Sequence, residues 1–161
     1  MINHPLIVFF NTQGVLVFII FILFFEWFVI KKKEVALHAL LSVITTFIFI
    51  SVLKELYDVP RPSDIPGVEA KAGLAFLSSF PSLHGGLAFS LATTVALHQS
   101  RLGVLLLTLA ALISIGRVAA NVHYPIDIAF GVLIGVLVGV FFDHIHFKKR
   151  RKKVFNPVRR G

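Results

Sequence analysis

The chain has 161 residues, of which 57% are hydrophobic, with a mean hydropathy of +0.87 and a formal net charge of +8. This apolar fraction lies well above the near half that is usual in soluble domains, so the composition indicates a membrane protein. There is no cysteine, which excludes disulfide and thiolate chemistry.

Five apolar stretches follow one another along the chain, and a membrane-spanning helix needs about 20 such residues. They cover about 5–30, 35–53, 81–98, 102–122 and 125–143. We predict an all-α integral membrane protein, a compact bundle of about five transmembrane helices with its functional site at the outer membrane–water interface. A single domain over 1–147 would precede a basic tail over 148–161. The first stretch lacks a basic n-region and a small-residue cleavage site, so we expect a retained helix.

The positive charges predict the orientation of this bundle. Alternating helices place twelve of the sixteen Lys and Arg on one side, namely those at 31–33, Arg101 and the eight in the tail. The positive-inside rule makes that side cytoplasmic, so we expect an inner-membrane protein with its N-terminus outside and its C-terminus inside. The charge is then an orientation signal; nucleic acid is not an expected partner, while contact of the tail with anionic lipid stays open.

The last apolar stretch carries Gly131, Gly135 and Gly139 at intervals of four residues. Small residues at this spacing let another helix backbone come close. Packing inside the bundle is the favoured interpretation, and an oligomer formed through these glycines is possible but not favoured.

Polar side chains near the ends of the apolar stretches form the most informative pattern. A charge near the hydrocarbon region costs about 2.5–3.5 kcal/mol on insertion scales, so it needs a partner, water or a function. Each residue alone could be an interface anchor or a polar contact. If the helices alternate, however, seven from three separate stretches reach the same outer face: Lys54, Arg61, Ser82, His84, Arg117, His123 and Asp127.

These residue types suit a phosphoryl group. Arginine presents a planar fork to phosphate oxygens and lysine adds a point charge, while a helix beginning near Gly85 and Gly86 offers free N–H groups. His123 stands just before a helix predicted to begin at Pro125, and Asp127 lies in its first turn. The carboxylate can reach Nδ1 of the imidazole, which leaves the Nε2 lone pair free to attack. The alternative is a helix-terminal carboxylate beside an interfacial histidine.

The three stretches resemble the motifs of the type 2 phosphatidic acid phosphatase superfamily. KELYDVPRP matches the first, PSLH the second and GRVAANVHYPID the third, in the family's order and spacing. There are two departures. Leu83 replaces a glycine and is expected to narrow the site, and Gly116 replaces a serine, which is expected to weaken phosphate binding slightly. The family usually has six spans, one more than the five counted here.

The resemblance implies a lipid phosphatase that uses no metal or other cofactor and forms a phosphohistidine. His123 would attack phosphorus, Asp127 would orient it, and His84 would donate a proton to the leaving oxygen. The other matching side chains, together with the backbone N–H of Leu83, would hold the phosphate: Lys54, Arg61, Ser82 and Arg117. Fixed cations would occupy the role that magnesium plays elsewhere.

The expected partners are the lipid bilayer and a lipid phosphate within it, since the segment 70–80 is apolar enough to lie along the headgroups. Candidate substrates are lipid A 1-phosphate, undecaprenyl diphosphate, phosphatidylglycerophosphate and phosphatidic acid. Two alternatives stay open: a lipid phosphotransferase that shares the covalent step, and a non-catalytic lipid-binding or transport protein.

Overall fold

The structure is a computed structural model that describes residues 14–68 and 78–154. These residues form five α-helices: α1 Gly14–Phe24, α2 Lys33–Leu56, α3 Leu83–His98, α4 Ser100–Ala119 and α5 Pro125–Val154. A π-helical turn, Phe25–Val29, continues α1, and a 3₁₀ turn, Pro62–Asp64, lies between α2 and α3. The described part has no strand. The predicted all-α bundle is therefore confirmed.

The boundaries of α2 to α5 lie within three residues of the predicted ones, except for the end of α5. Helix α5 continues to Val154, whereas the predicted span ends at 143 and the predicted tail begins at 148. The added residues are mostly Lys and Arg, which are good helix formers, and no Gly or Pro interrupts them before Pro157. Helix α4 ends at Ala119, earlier than the predicted 122. The beginning of the first predicted span, most of the segment 70–80 and the last seven residues of the tail lie outside the described residues.

Three helices of the described chain are long and apolar enough to cross a membrane: Lys33–Leu56, Arg101–Ala119 and Pro125–His144. The helical segment Gly14–Val29 is apolar but shorter. Large apolar side chains on the outside of the bundle, such as Leu105 and Leu137, are more than half exposed. Such surfaces suit contact with lipid chains, because a soluble protein rarely leaves so much apolar area in water.

Helix α3 is the centre of the bundle and packs against α2, α4 and α5. The glycine stripe of α5, formed by Gly131, Gly135 and Gly139, lies directly against α3. A Cβ atom on Gly131 would lie 2.4 Å from the carbonyl oxygen of Ser82, and one on Gly135 would lie 2.3 Å from that of Gly86. Only glycine fits at these contacts. The stripe therefore packs inside the bundle and holds the start of α3 against the start of α5.

A buried polar cluster joins the helices at the opposite end of α3. The Gln99 side chain donates to both carboxylate oxygens of Glu26 at 2.7 Å, which links α3 to the π-helical turn after α1. Nδ1 of His98 lies 3.7 Å from Oδ1 of Asp143 on α5. Because buried polar groups are costly unless paired, this cluster fixes the helix ends relative to one another.

Candidate active site

The loop after α2 is fastened to the turn between α4 and α5. Nη1 of Arg61 donates to the carbonyl oxygen of Val122 at 2.8 Å, and the Ser63 N–H donates to that of Asn121 at 3.1 Å. Asn121 has a φ of 58°, a left-handed conformation that asparagine tolerates well and that reverses the chain after α4. These contacts place Arg61 directly beside the segment that carries His123.

His123 and Asp127 form a buried pair at the start of α5. Nδ1 of His123 lies 3.5 Å from Oδ2 of Asp127, and the two residues are only 3% and 1% exposed. The predicted juxtaposition is present, but the separation is longer than an ordinary hydrogen bond. Within the described chain, Nδ1 has no hydrogen-bond partner. Catalytic hydrogen bonds are often long in the absence of substrate and shorten when it binds.

Oδ2 of Asp127 accepts from two other donors. The hydroxyl of Ser79 donates to it, and so does the Tyr124 N–H at 2.8 Å. Ser79 is completely buried, and its own N–H donates to the carbonyl oxygen of Val59 at 2.8 Å. Sequence reasoning missed this serine, because it precedes the PSLH motif and is not part of it. Its position, two residues before Pro81, offered no periodic or spacing signal.

The PSLH stretch forms the beginning of α3. Ser82 is the N-cap residue, and its Oγ accepts from the Gly85 N–H at 3.4 Å, as capping serines commonly do. Its own N–H donates to the carbonyl oxygen of Asp127 at 2.9 Å, which joins the second and third motifs. The side chain of Leu83 packs against the hydrophobic core, which accounts for a leucine where the family has glycine.

Three cations surround the pair. Lys54, Arg61 and Arg117 are each only 7% exposed. Electrostatic interactions connect Lys54 with Arg61, Arg117 and Asp127, so groups from the three motifs act on one another. The pKa of Arg61 is lowered from its ordinary value. Burial is the main cause, and the charges of Asp64 and Asp127 partly oppose it.

This environment keeps His123 neutral. Burial, followed by the charges of Arg61, Arg117, Lys54 and His84, lowers the pKa of His123 to about 2. A neutral imidazole retains the lone pair that a nucleophile requires. His84 is the weakest of these charged neighbours.

His84 is half-buried and borders a cavity of about 350 Å³ between α1 and α4. Arg117 and Gly116 border the same cavity. The residues that the sequence predicts for the site thus lie at the same end of the bundle, and their roles stay a prediction. Over residues 14–68 and 78–154, no group of three or more His, Asp or Glu side chains is arranged to hold a metal ion. The prediction of a metal-free reaction stays a prediction.

Known proteins resemble this chain in sequence. The family model "PAP2 superfamily" matches residues 35–151. Bacitracin transport permease protein BcrC of Bacillus licheniformis is 31% identical over 112 residues, which are 69% of this chain and 55% of that protein. Decaprenylphosphoryl-5-phosphoribose phosphatase of Mycobacterium tuberculosis is 28% identical over 130 residues, 80% of this chain and 66% of that protein. The chain therefore spans less than two thirds of each of these relatives.

A solved structure resembles the whole bundle. LpxE of Aquifex aeolicus superposes with a TM-score of 0.70 and 27% identity, covering 88% of this chain and 87% of that one. The shared fold extends over nearly all of both chains.

Proposed function

The chain belongs to the PAP2 superfamily, and on this basis we propose that it is a metal-independent membrane lipid phosphatase. The observation that carries the proposal is a buried, neutral imidazole at His123 surrounded by three buried cations. Lys54, Arg61 and Arg117 place three buried positive charges near His123. Arginine and lysine are the side chains that bind phosphate oxygens, so an anionic phosphoryl group fits this position.

In the first step, Nε2 of His123 attacks the phosphorus atom of the lipid phosphate. A P–N bond forms, the P–O bond to the lipid breaks, and protonated His84 gives its proton to the leaving oxygen. The Asp127 carboxylate, 3.5 Å from Nδ1, stabilises the imidazolium that develops. Lys54, Arg61 and Arg117 stabilise the charge on the equatorial oxygens, and donors of this kind are typically worth about 3–4 kcal/mol each.

In the second step, water attacks the phosphohistidine and gives a proton to neutral His84. The P–N bond breaks, inorganic phosphate leaves, and both histidines return to their initial states. The net reaction consumes one water and releases the dephosphorylated lipid and phosphate. General acid–base catalysis by one residue in both directions typically contributes about a hundredfold or more.

The positive-inside rule supports a site on the outer side of the inner membrane, with the C-terminal end of α5 in the cytoplasm. The site lies at the end of the bundle where α2 and α4 finish and α3 and α5 begin. A lipid phosphate at the headgroup level can therefore reach it while its chains stay in the bilayer. A polyprenyl-linked phosphate is the first candidate, because one similar protein is named for a decaprenylphosphoryl substrate. Lipid A 1-phosphate, phosphatidylglycerophosphate and phosphatidic acid complete the set.

The decisive experiment measures phosphate release from these purified lipids by the full chain in detergent. The wild type should release phosphate from at least one of them, and the His123→Ala variant from none. His98→Ala is the matched control, because His98 is also buried beside a carboxylate but lies at the other end of α3. A His123→Ala variant that turns over normally would overturn the proposal and favour a lipid-binding or transport role. Labelled phosphate found on a second lipid, and not free in solution, would indicate a phosphotransferase.

A further inference from the structure

The cavity of about 350 Å³ beside the site has a mixed lining. Apolar side chains of α1 and α4, including Val15, Phe18 and Leu109, form most of its wall. His84 and Arg117 form its polar part. Its volume falls in the range of small-molecule sites, which are about 300–1,000 Å³ and mostly apolar with a few polar groups.

The cavity borders both the outer surface of the bundle and two residues of the phosphate site, His84 and Arg117. Leu112 borders it and is 60% exposed, so this wall belongs to the surface that faces the lipid chains. Arg117 borders it from the other direction and is one of the three buried cations around His123. A molecule with a phosphate at the site therefore has an apolar path leading away from it.

Gly116 has no side chain and borders the cavity beside Arg117. A Cβ atom built on it would meet no atom of residues 14–68 and 78–154 within 4 Å. The glycines of α5 are different, because each of them is in close backbone contact with α3. Packing therefore explains Gly131 and Gly135 but does not explain Gly116.

We infer that Gly116 is a specificity-determining residue, which leaves room for the first part of the lipid's hydrocarbon chain to pass from the phosphate site into the cavity between α1 and α4. The inference rests on the proposed function. It adds where the hydrocarbon chain of the substrate lies and which residue leaves space for it. The occupant is the chain of the lipid phosphate itself, because the same cavity borders both the phosphate-binding cation and the lipid-facing surface.

The cavity would select by shape and not by affinity. Bilayer lipid is about as apolar as the side chains of α1 and α4, so moving a chain from bilayer to cavity gains little from the hydrophobic effect. A chain placed there instead holds the scissile phosphate in one orientation, and orientation governs the rate of the chemical step. A side chain at 116 would block that placement sterically.

The test compares two substrates that share the phosphate and differ in the chain. The Gly116→Leu variant, in detergent, is assayed with a long-chain lipid phosphate that the wild type hydrolyses and with p-nitrophenyl phosphate. We expect kcat/KM for the lipid to fall about tenfold or more relative to that for the aryl phosphate, with Gly116→Ala intermediate, since single methylene differences in an apolar pocket discriminate by about 10–200-fold. Ile115→Phe is the control, because Ile115 is 64% exposed and does not border the cavity.

A second measurement does not require turnover. A phosphatidic acid with a diazirine in its acyl chain, reconstituted with the protein in nanodiscs, should label the cavity-lining residues Val15, Phe18 and Leu109 after irradiation. Labelling of these residues should be lost in Gly116→Leu and retained in Ile115→Phe, while the outer surface of α4 is labelled in both. Labelling that is unchanged by Gly116→Leu, or an equal loss of kcat/KM for both substrates, would overturn the inference. A wild type that hydrolyses none of the lipids but is labelled in the cavity would overturn the proposed function. It would still support the cavity as the binding site of the hydrocarbon chain.

Discussion

Oδ2 of Asp127 lies 3.5 Å from Nδ1 of His123 while it accepts from the Ser79 hydroxyl and from the Tyr124 N–H. One carboxylate oxygen thus holds three elements in register: the stretch before α3, the turn before α5 and the imidazole itself. The carboxylate is fixed by donors that do not change during the reaction, so it can stabilise positive charge on His123 without reorganising.

Replacing Asp127 by Asn should therefore reduce activity strongly. The amide keeps the shape but removes the negative charge, so kcat for phosphate release should fall by about a hundredfold or more. Asp143→Asn is a closely matched control. Asp143 lies on the same helix as Asp127 but toward its other end, and it is also buried beside a histidine, His98 of α3. Equal losses in the two variants would mean that Asp127 contributes only to folding.

Removing the Ser79 hydroxyl should affect kcat more than KM. Ser79→Ala deletes one donor to Asp127 and lets the carboxylate rotate away from His123, which should lower kcat about tenfold, the equivalent of a lost hydrogen bond to a charged group. Ser79→Thr keeps the hydroxyl and should restore most of the rate. A larger change in KM than in kcat would instead assign Ser79 to substrate binding.

The lowered pKa of His123 predicts a dependence of stability on pH. Its value is about 2 in the folded protein and 6.5 ordinarily, so below pH 6.5 the unfolded chain binds a proton that the folded chain does not. This group's contribution to the free energy of unfolding should decrease by about 1.4 kcal/mol per pH unit below that value. As the pH is lowered from 7.5 to 5 in detergent, the melting temperature of His123→Gln should fall less steeply than that of the wild type. Parallel curves would contradict the lowered pKa.

The α3–α5 contact should not tolerate a methyl group at Gly135. A Cβ atom there would lie 2.3 Å from the carbonyl oxygen of Gly86, and such overpacking costs about 1–3 kcal/mol. Gly135→Ala should lower the melting temperature by several degrees, whereas Gly116→Ala, around which the described residues leave space for a methyl group, should not. Similar melting temperatures for the two variants would show that α5 can move away from α3.

Orthovanadate should inhibit phosphate release, because a five-coordinate vanadate resembles the transferring phosphoryl group and would bind the same cations. EDTA should leave the rate unchanged, because Lys54, Arg61 and Arg117 supply the positive charge. Both can be measured with p-nitrophenyl phosphate. A rate that EDTA abolishes and Mg²⁺ restores would contradict the metal-free mechanism.

Much of the fold follows from the sequence, because apolar length and breaking residues act locally. The five apolar stretches predicted the five helices, and Pro125 marked the first residue of α5. The end of α5 was less predictable, since the basic run after Phe147 carries no helix-ending residue before Pro157. The motifs alone predict that Lys54, Arg61, Arg117 and His123 lie together, and in the structure these residues act on one another electrostatically.

The sequence by itself determined the helices, the membrane environment and the residue types of the site, because each depends on composition or on spacing along the chain. Only the tertiary structure showed that Ser79 donates to Asp127, that the α5 glycines contact the backbone of α3, and that Gly116 borders a cavity. These are contacts between segments far apart in the chain. Their geometry depends on how the helices pack, and packing is a property of the whole bundle that no single stretch encodes.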